Sequence, residues 1–220
     1  MIRFLSVFGC ILLIAFSSIA VAAKDKPRWT LELNAELFEP RLSRWEETYG
    51  SKRMPVVGGS IAYRLLNVLD LGMSVNYGQE RGNGYLPLSG LESGKVTHHM
   101  LPVELFGLLR LRFTENQWIV PYAGGGYTRF AYYQTIAGQD SNRGSVNGYH
   151  ARVGLQLLLD PLDIAAENDM KASYGAINSY LFFEVKGTDA VVETVDGNGN
   201  AAKHQLGGYS YKSGLMVEFR

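Results

Sequence analysis

Cysteine is all but missing: the chain of 220 residues carries one, Cys10. That excludes an intramolecular disulfide framework and any paired-cysteine metal site. Net charge is missing too, because 21 Lys and Arg stand against 21 Asp and Glu. This balance supplies no electrostatic footprint for a nucleic acid, and none is expected as a partner. Long apolar runs are absent after the first two dozen residues, so no later segment reaches the 20 or so residues that a spanning helix needs. What is plentiful is 25 Gly and 13 Tyr, a composition that suits tight turns and half-buried strands rather than coiled coils.

Residues 1–23, MIRFLSVFGCILLIAFSSIAVAA, read as a secretory signal. Arg3 gives a positive start, Phe4 to Phe16 forms the apolar stretch, and the small residues through Ala22 and Ala23 suit a cleavage site. The stretch is too short to anchor in a membrane. It also runs on past Cys10, where a lipoprotein signal would have ended. Cys10 is therefore expected to leave with the signal, and 24–220 to form one cysteine-free domain.

The rest alternates with period two, the mark of strands with one apolar and one polar face. Eight such stretches follow one another. Leu31, Leu33, Ala35 and Leu37 oppose Thr30, Glu32, Asn34, Glu36 and Phe38. Ile61, Tyr63 and Leu65 oppose Ser60, Ala62 and Arg64. Leu71, Met73, Val75 and Tyr77 oppose Asp70, Ser74 and Asn76. Leu101, Val103, Leu105, Leu109 and Leu111 oppose Glu104, Arg110 and Arg112. A fifth, Gly- and Tyr-rich stretch runs from about Trp118 to Thr135. Val153, Leu155 and Leu157 oppose His150, Arg152 and Gln156. Leu181, Phe183 and Val185 oppose Phe182, Glu184 and Lys186. Tyr209, Tyr211, Leu215, Val217 and Phe219 oppose Ser210, Lys212 and Glu218. Short links near 66–68 and 114–117 alternate with long polar ones at 40–54, 80–96, 135–147 and 187–205. An even number of strands with short turns at one end and long loops at the other predicts an all-β, eight-stranded antiparallel up-and-down transmembrane β-barrel. Closure leaves no unpaired backbone in lipid. Asp160 and Pro161 start a segment, 160–175, expected to hold a short periplasmic helix.

This pattern sorts the side chains. The inward phase carries the charges: Glu32, Glu36, Arg64, Glu104, Arg110, Arg112, Arg152, Glu184, Lys186, Lys212 and Glu218 are expected to form a lumen network. Leu105, Leu109, Val153, Leu155, Leu181 and Leu215 are expected to face lipid. Leu215, Val217 and Phe219 end the chain like the strand that guides such proteins to the barrel-assembly machinery, although Arg220 follows the aromatic. Trp29, Tyr77, Trp118, Tyr122, Tyr132, Tyr133 and Tyr209 are expected in the aromatic girdles.

The stretch GYHARVGLQLLLDPLDIAAENDM at 148–170, followed by NSYLFFEV at 178–185, resembles the myxobacterial-type family of small outer-membrane β-barrel proteins, eight-stranded barrels of the OmpA/OmpW-like kind. Pro121-Tyr122 with Gly124, Gly125 and Gly126, and the strand carrying Phe38-Glu39-Pro40, are similar to the family's strands as well. The resemblance implies an outer-membrane location and a barrel fold. It implies no activity, so no catalytic residues come with it.

No residue pattern points to a catalytic, cofactor or metal site. His98 and His99 are strand neighbours pointing to opposite faces, so they cannot share one metal ion. Ser89, Ser93, His98, Asp140 and Ser141 are the polar residues near the outer rim from which a lipid-modifying enzyme would draw, but no spacing joins them. The glycines 124–126 sit in a strand with no GK[ST] and no helix after them, so close packing explains them better than phosphate binding. Asp196 to Asn200 lacks the spacing of a calcium loop. The leading expectation is a monomeric, non-enzymatic barrel, its lumen largely filled by side chains, with a structural or surface-interaction role, outer-membrane lipid around it and a surface ligand unspecified. A narrow channel for small solutes or ions is the alternative, and a lipid-modifying enzyme the third reading.

Overall fold

The computed structural model describes residues 28–42, 45–85, 92–114, 117–136, 141–162, 170, 172–195 and 201–219. The 1–23 segment, Ser89, Asp140, Asp196–Asn200 and Arg220 lie outside the described residues. The strands are β1 (Trp29–Pro40), β2 (Met54–Leu66), β3 (Leu69–Tyr85), β4 (Glu92–Arg110), β5 (Ile119–Ile136), β6 (Asn142–Leu158), β7 (Ala176–Val195), β8 (Ala201–Gln205) and β9 (Gly208–Phe219). A one-turn helix, α1 (Trp45–Tyr49), sits between β1 and β2.

From β1 to β7 each strand pairs antiparallel with the next, β7 also pairs with β9, and β9 pairs with β1, so the wall closes. β8 pairs only with β7 and continues the line of β9 across Leu206-Gly207. Eight staves therefore make one barrel. The alternation survives in the burial of the chain: β1 reads exposed, buried, exposed, buried along most of its length.

Three expectations change. The long links at 80–96, 135–147 and 187–205 are largely strand, because β3 to β7 run on past the level at which their outward apolar residues stop. Their polar composition reflects water on the outer face rather than an irregular backbone. Next, α1 falls within the link expected to be irregular; Gly50, at φ 70°, ends it, and its N–H returns to the Glu46 carbonyl at 2.8 Å. Finally, Tyr122 and Tyr132 are not girdle residues. Tyr122 is buried in the lumen and Tyr132 packs against the inner core, because both fall on the inward phase of β5. Trp29, Tyr77, Trp118, Tyr133 and Tyr209 are exposed on the outer wall, together with Tyr127, Tyr149 and Tyr211.

In the 160–175 segment, Asp160–Leu162 forms a 3-10 turn, and Met170 and Ala172–Tyr174 are helical. Asp160 Oδ1 accepts the backbone N–H of Ser179 at 2.9 Å and so ties the segment to the base of β7.

Candidate functional site

The lumen is the place where this chain gathers chemistry, and it is layered. Near the short-turn end, Arg64 on β2 reaches Asp70 on β3, with Nε to Oδ1 at 2.8 Å, and Glu218 on β9, with Nη2 to Oε1 at 2.6 Å. Arg110 on β4 donates to Asp70 at 3.1 Å, to Glu218, and through Nη2 to Gln156 at 2.6 Å. Arg112, in the turn after β4, donates to Glu218 at 3.3 Å, and Asn178 donates to the same carboxylate at 2.6 Å. Arg110 also lies over the ring of Tyr180, 5.5 Å from its centroid. Val120, Leu158, Tyr180, Phe182 and Met216 pack around this cluster.

A second network fills the middle. Glu104 on β4 accepts from Arg152 at 2.8 Å, from Lys186 at 2.7 Å and from Ser74 at 2.9 Å. Lys186 continues to Glu36 at 3.2 Å. Glu184 faces Arg152 and Lys212, each at 3.6 Å, and accepts from the Tyr122 hydroxyl at 3.0 Å. Glu32 accepts from Ser60 at 2.6 Å. Arg152 also rests over Phe106, 4.4 Å from its centroid. A Cβ at Gly154 would collide with the Tyr122 ring, and one at Gly126 with the Leu105 carbonyl oxygen. Glycine at these places lets the wall and an aromatic come together, and among the described residues the 124–126 run leads through β5 into β6 with no helix between.

All eleven charged residues expected inside are thus gathered in the lumen, Arg112 and Arg64 being the most open, with side chains 16% and 8% exposed. One further charge belongs to the set. Asp70, 2% exposed, completes it, and its position on the inward phase beside Ser74 and Asn76 was the available signal. With Asp70 the lumen holds six acids and six bases, the balance that buried charge demands. The expected lipid-facing residues Leu105, Leu109, Val153, Leu155 and Leu215 are exposed on the outer wall, with Leu181 half-buried. Leu215, Val217 and Phe219 share the outer face of β9.

The long-loop end is apolar. Phe38, Met54, Val56, Val96, Met100, Phe130, Val146 and Leu206 point inward there, and α1 drops Trp45 and Tyr49 onto them. Trp45 and Tyr49 pack with centroids 4.2 Å apart and planes tilted by 37°, and Trp45 meets His98 edge-on at 5.5 Å. Gln134 donates to the Tyr49 hydroxyl at 3.0 Å, and burial pushes that hydroxyl up to about 12. No sequence argument found this plug. Its only sign was a Trp and a Tyr four residues apart, on one face of a helical turn.

One pair looks catalytic and is not built that way. Thr128 Oγ1 and His150 Nδ1 are 2.7 Å apart, but Arg152 donates to His150 Nε2 at 2.8 Å. That forces Nδ1 to carry the proton and donate to Thr128, so the imidazole is no base for it. Thr128 is also fully buried. No group of three metal-ligating side chains occurs among the described residues.

A closed wall with an apolar outer face defines a membrane β-barrel. The chain matches the outer membrane protein beta-barrel domain family over residues 8–207 and belongs to that family. No curated protein sequence matches it. Among solved structures it is similar to the outer membrane protein OprG from Pseudomonas aeruginosa, with TM-score 0.59 and 13% identity over 89% of this chain and 97% of that one. It is also similar to Neisserial surface protein A, with TM-score 0.52 and 11% identity over 87% and 97%. At such identity the likeness speaks for the fold alone. The protein is an outer-membrane β-barrel protein.

Proposed function

We propose that this is a non-conducting, non-enzymatic barrel whose interior is a packed strut and whose long-loop end carries a structural or surface-interaction role. One observation supports this best: the lumen is blocked three times, by the Arg110 cluster, by the Glu104 network and by the α1 plug. The histidine–hydroxyl pair found inside among the described residues is tautomerically locked and buried, which argues against hydrolysis. On this reading residues 1–23 export the chain, Leu215, Val217 and Phe219 present it to the barrel-assembly machinery, and the monomer stands with its short turns in the periplasm. The narrower likeness to the myxobacterial-type barrels belongs with this proposal.

A narrow channel is the second reading, and a specific feature favours it. Asn34, Asn76 Oδ1, Ser210 Oγ and Lys212 Nζ have no hydrogen-bond partner among the described residues, so part of the middle lumen suits water. Planar-bilayer recording separates the two. The strut predicts no resolved conductance steps from folded wild-type protein. Steps that persist in the wild type would select the channel.

A further inference from the structure

The outer wall is not electrically uniform above its apolar band. On β5 the outward residues Ile119, Pro121, Ala123 and Gly125 lead up to Tyr127, which meets Tyr149 of β6 edge-on at 5.9 Å. From Trp118 to Tyr127 the strand climbs about 30 Å at ~3.3 Å per residue. At a tilt of about 40° this is roughly 22 Å along the membrane normal, close to the thickness of the apolar band of such barrels. Tyr127 and Tyr149 therefore mark its upper edge.

Directly above them the wall of β3 to β6 turns basic. The outward residues there include Arg81, Lys95, Arg129 and Arg143, all exposed, with His99 held by the Tyr77 hydroxyl at 2.7 Å. Pairing makes them one patch: Gln79, His99, Tyr133 and Arg143 lie in a row across four strands, and Arg129 sits between Val103 and Asn147. Arg129 donates to Ser145 Oγ at 3.2 Å. Over 79–83 of β3, 95–103 of β4, 129–133 of β5 and 143–147 of β6 the outward residues include no carboxylate, and among the described residues none pairs with the four cations. Asp189, an outward acid on β7, lies beside Tyr149, one row below Arg129, and is engaged by Gln205.

The opposite wall treats its cations differently. Arg53 is paired with Glu39 at 3.2 Å and lies 5.3 Å from the Tyr211 ring centroid, and Arg41 lies 4.4 Å from that of Tyr209. Those guanidiniums already have partners. On β3 to β6 the guanidiniums have neutral partners instead, Arg129 the Ser145 hydroxyl and Arg81 the Gln79 amide oxygen, so their charge is left for an anion.

We infer that the outer wall of β3 to β6, centred on Arg129 and Arg143, binds the phosphate groups of a glycolipid in the surrounding outer leaflet. Two features choose a lipid over a soluble anion. The patch begins where the apolar band ends, and Leu101, Val103 and Leu105 descend from it, so a molecule with a phosphorylated head and acyl tails covers both. Guanidinium groups match phosphate oxygens in paired hydrogen bonds, with Ser145 and Asn147 beside them as neutral donors. The inference rests on the proposed orientation, with the long-loop end in the outer leaflet.

Folded protein in detergent is titrated with lipid A carrying both phosphates, with its dephosphorylated form and with inorganic phosphate, and bound lipid is counted by native mass spectrometry. Retention of the phosphorylated form is expected, weakened about tenfold or more in Arg129→Gln/Arg143→Gln and unchanged in Arg53→Gln. Heat-modifiable gel mobility confirms that each variant is folded. Equal retention of the dephosphorylated lipid, an unweakened double variant, or displacement by millimolar inorganic phosphate would each overturn the site. Conductance in the same preparations reports on the closed lumen separately, so the two readings fail independently.

Discussion

The two ends of the lumen are filled by opposite means. From the short turns to the middle, charged side chains interlock across strands, as where Glu104 joins β4 to β6 and β7. Toward the long loops, the filling is apolar and partly borrowed from a loop, because Trp45 and Tyr49 come from α1 rather than from the wall. The ionic end is assembled from residues whose direction is set by the strand register alone. The apolar end depends on a helix folding back, a contact between residues distant in the chain. The ionic end should therefore tolerate loss of a partner worse than the plug does, since a stranded buried charge has no way to relax.

Glu104→Ala is the sharpest way to test that difference. It leaves Arg152 and Lys186 short of their main acceptor, and a loss of about 3–5 kcal/mol is expected, read from reversible unfolding in lipid bilayers. If the loss is under about 1 kcal/mol, the network is wet and the contrast fails.

Trp45→Ala should come next, costing about 3 kcal/mol. It should loosen the long-loop end while the Glu104 layer keeps the barrel closed. Protease sensitivity at 43–53 should rise without any conductance.

Leu155→Arg compares inner and outer faces on one strand. Leu155 is exposed and lies one outward position below Val153, the middle of β6's apolar face. A cost of about 2 kcal/mol is expected there, at the low end for a charge on the lipid face. Gln156→Arg should behave otherwise, because it sets a second guanidinium beside Arg110, which already bonds Gln156. If Leu155→Arg folds as well as wild type while Gln156→Arg fails, the two faces are reversed.

The same contrast explains what the sequence made legible. Strand number, closure and the ionic lumen followed from period-two alternation, because each side chain's direction depends only on its own position. Asp70 was visible by this rule and left out of the charge set. The α1 plug was not visible: five residues carry too short a period to announce a helix, and nothing in WEETY says that it turns inward. Tyr122 was misplaced because aromatics suggest girdles, although its even phase on β5 with Val120 points inside. The strand extensions were hidden because water on the outer face removes the apolar half of the alternation.

Whether the lumen is sealed from both sides can be read at Ser210. This residue is fully buried on β9, and its hydroxyl has no partner among the described residues, so Ser210→Cys disturbs little. In a Cys10→Ala background the new thiol is alone. A sealed lumen gives no reaction with a charged thiol reagent in the folded protein and full reaction after heat unfolding, whereas an exposed control, Lys52→Cys, reacts at once. Labelling of Ser210→Cys in the folded barrel at the control's rate would contradict it.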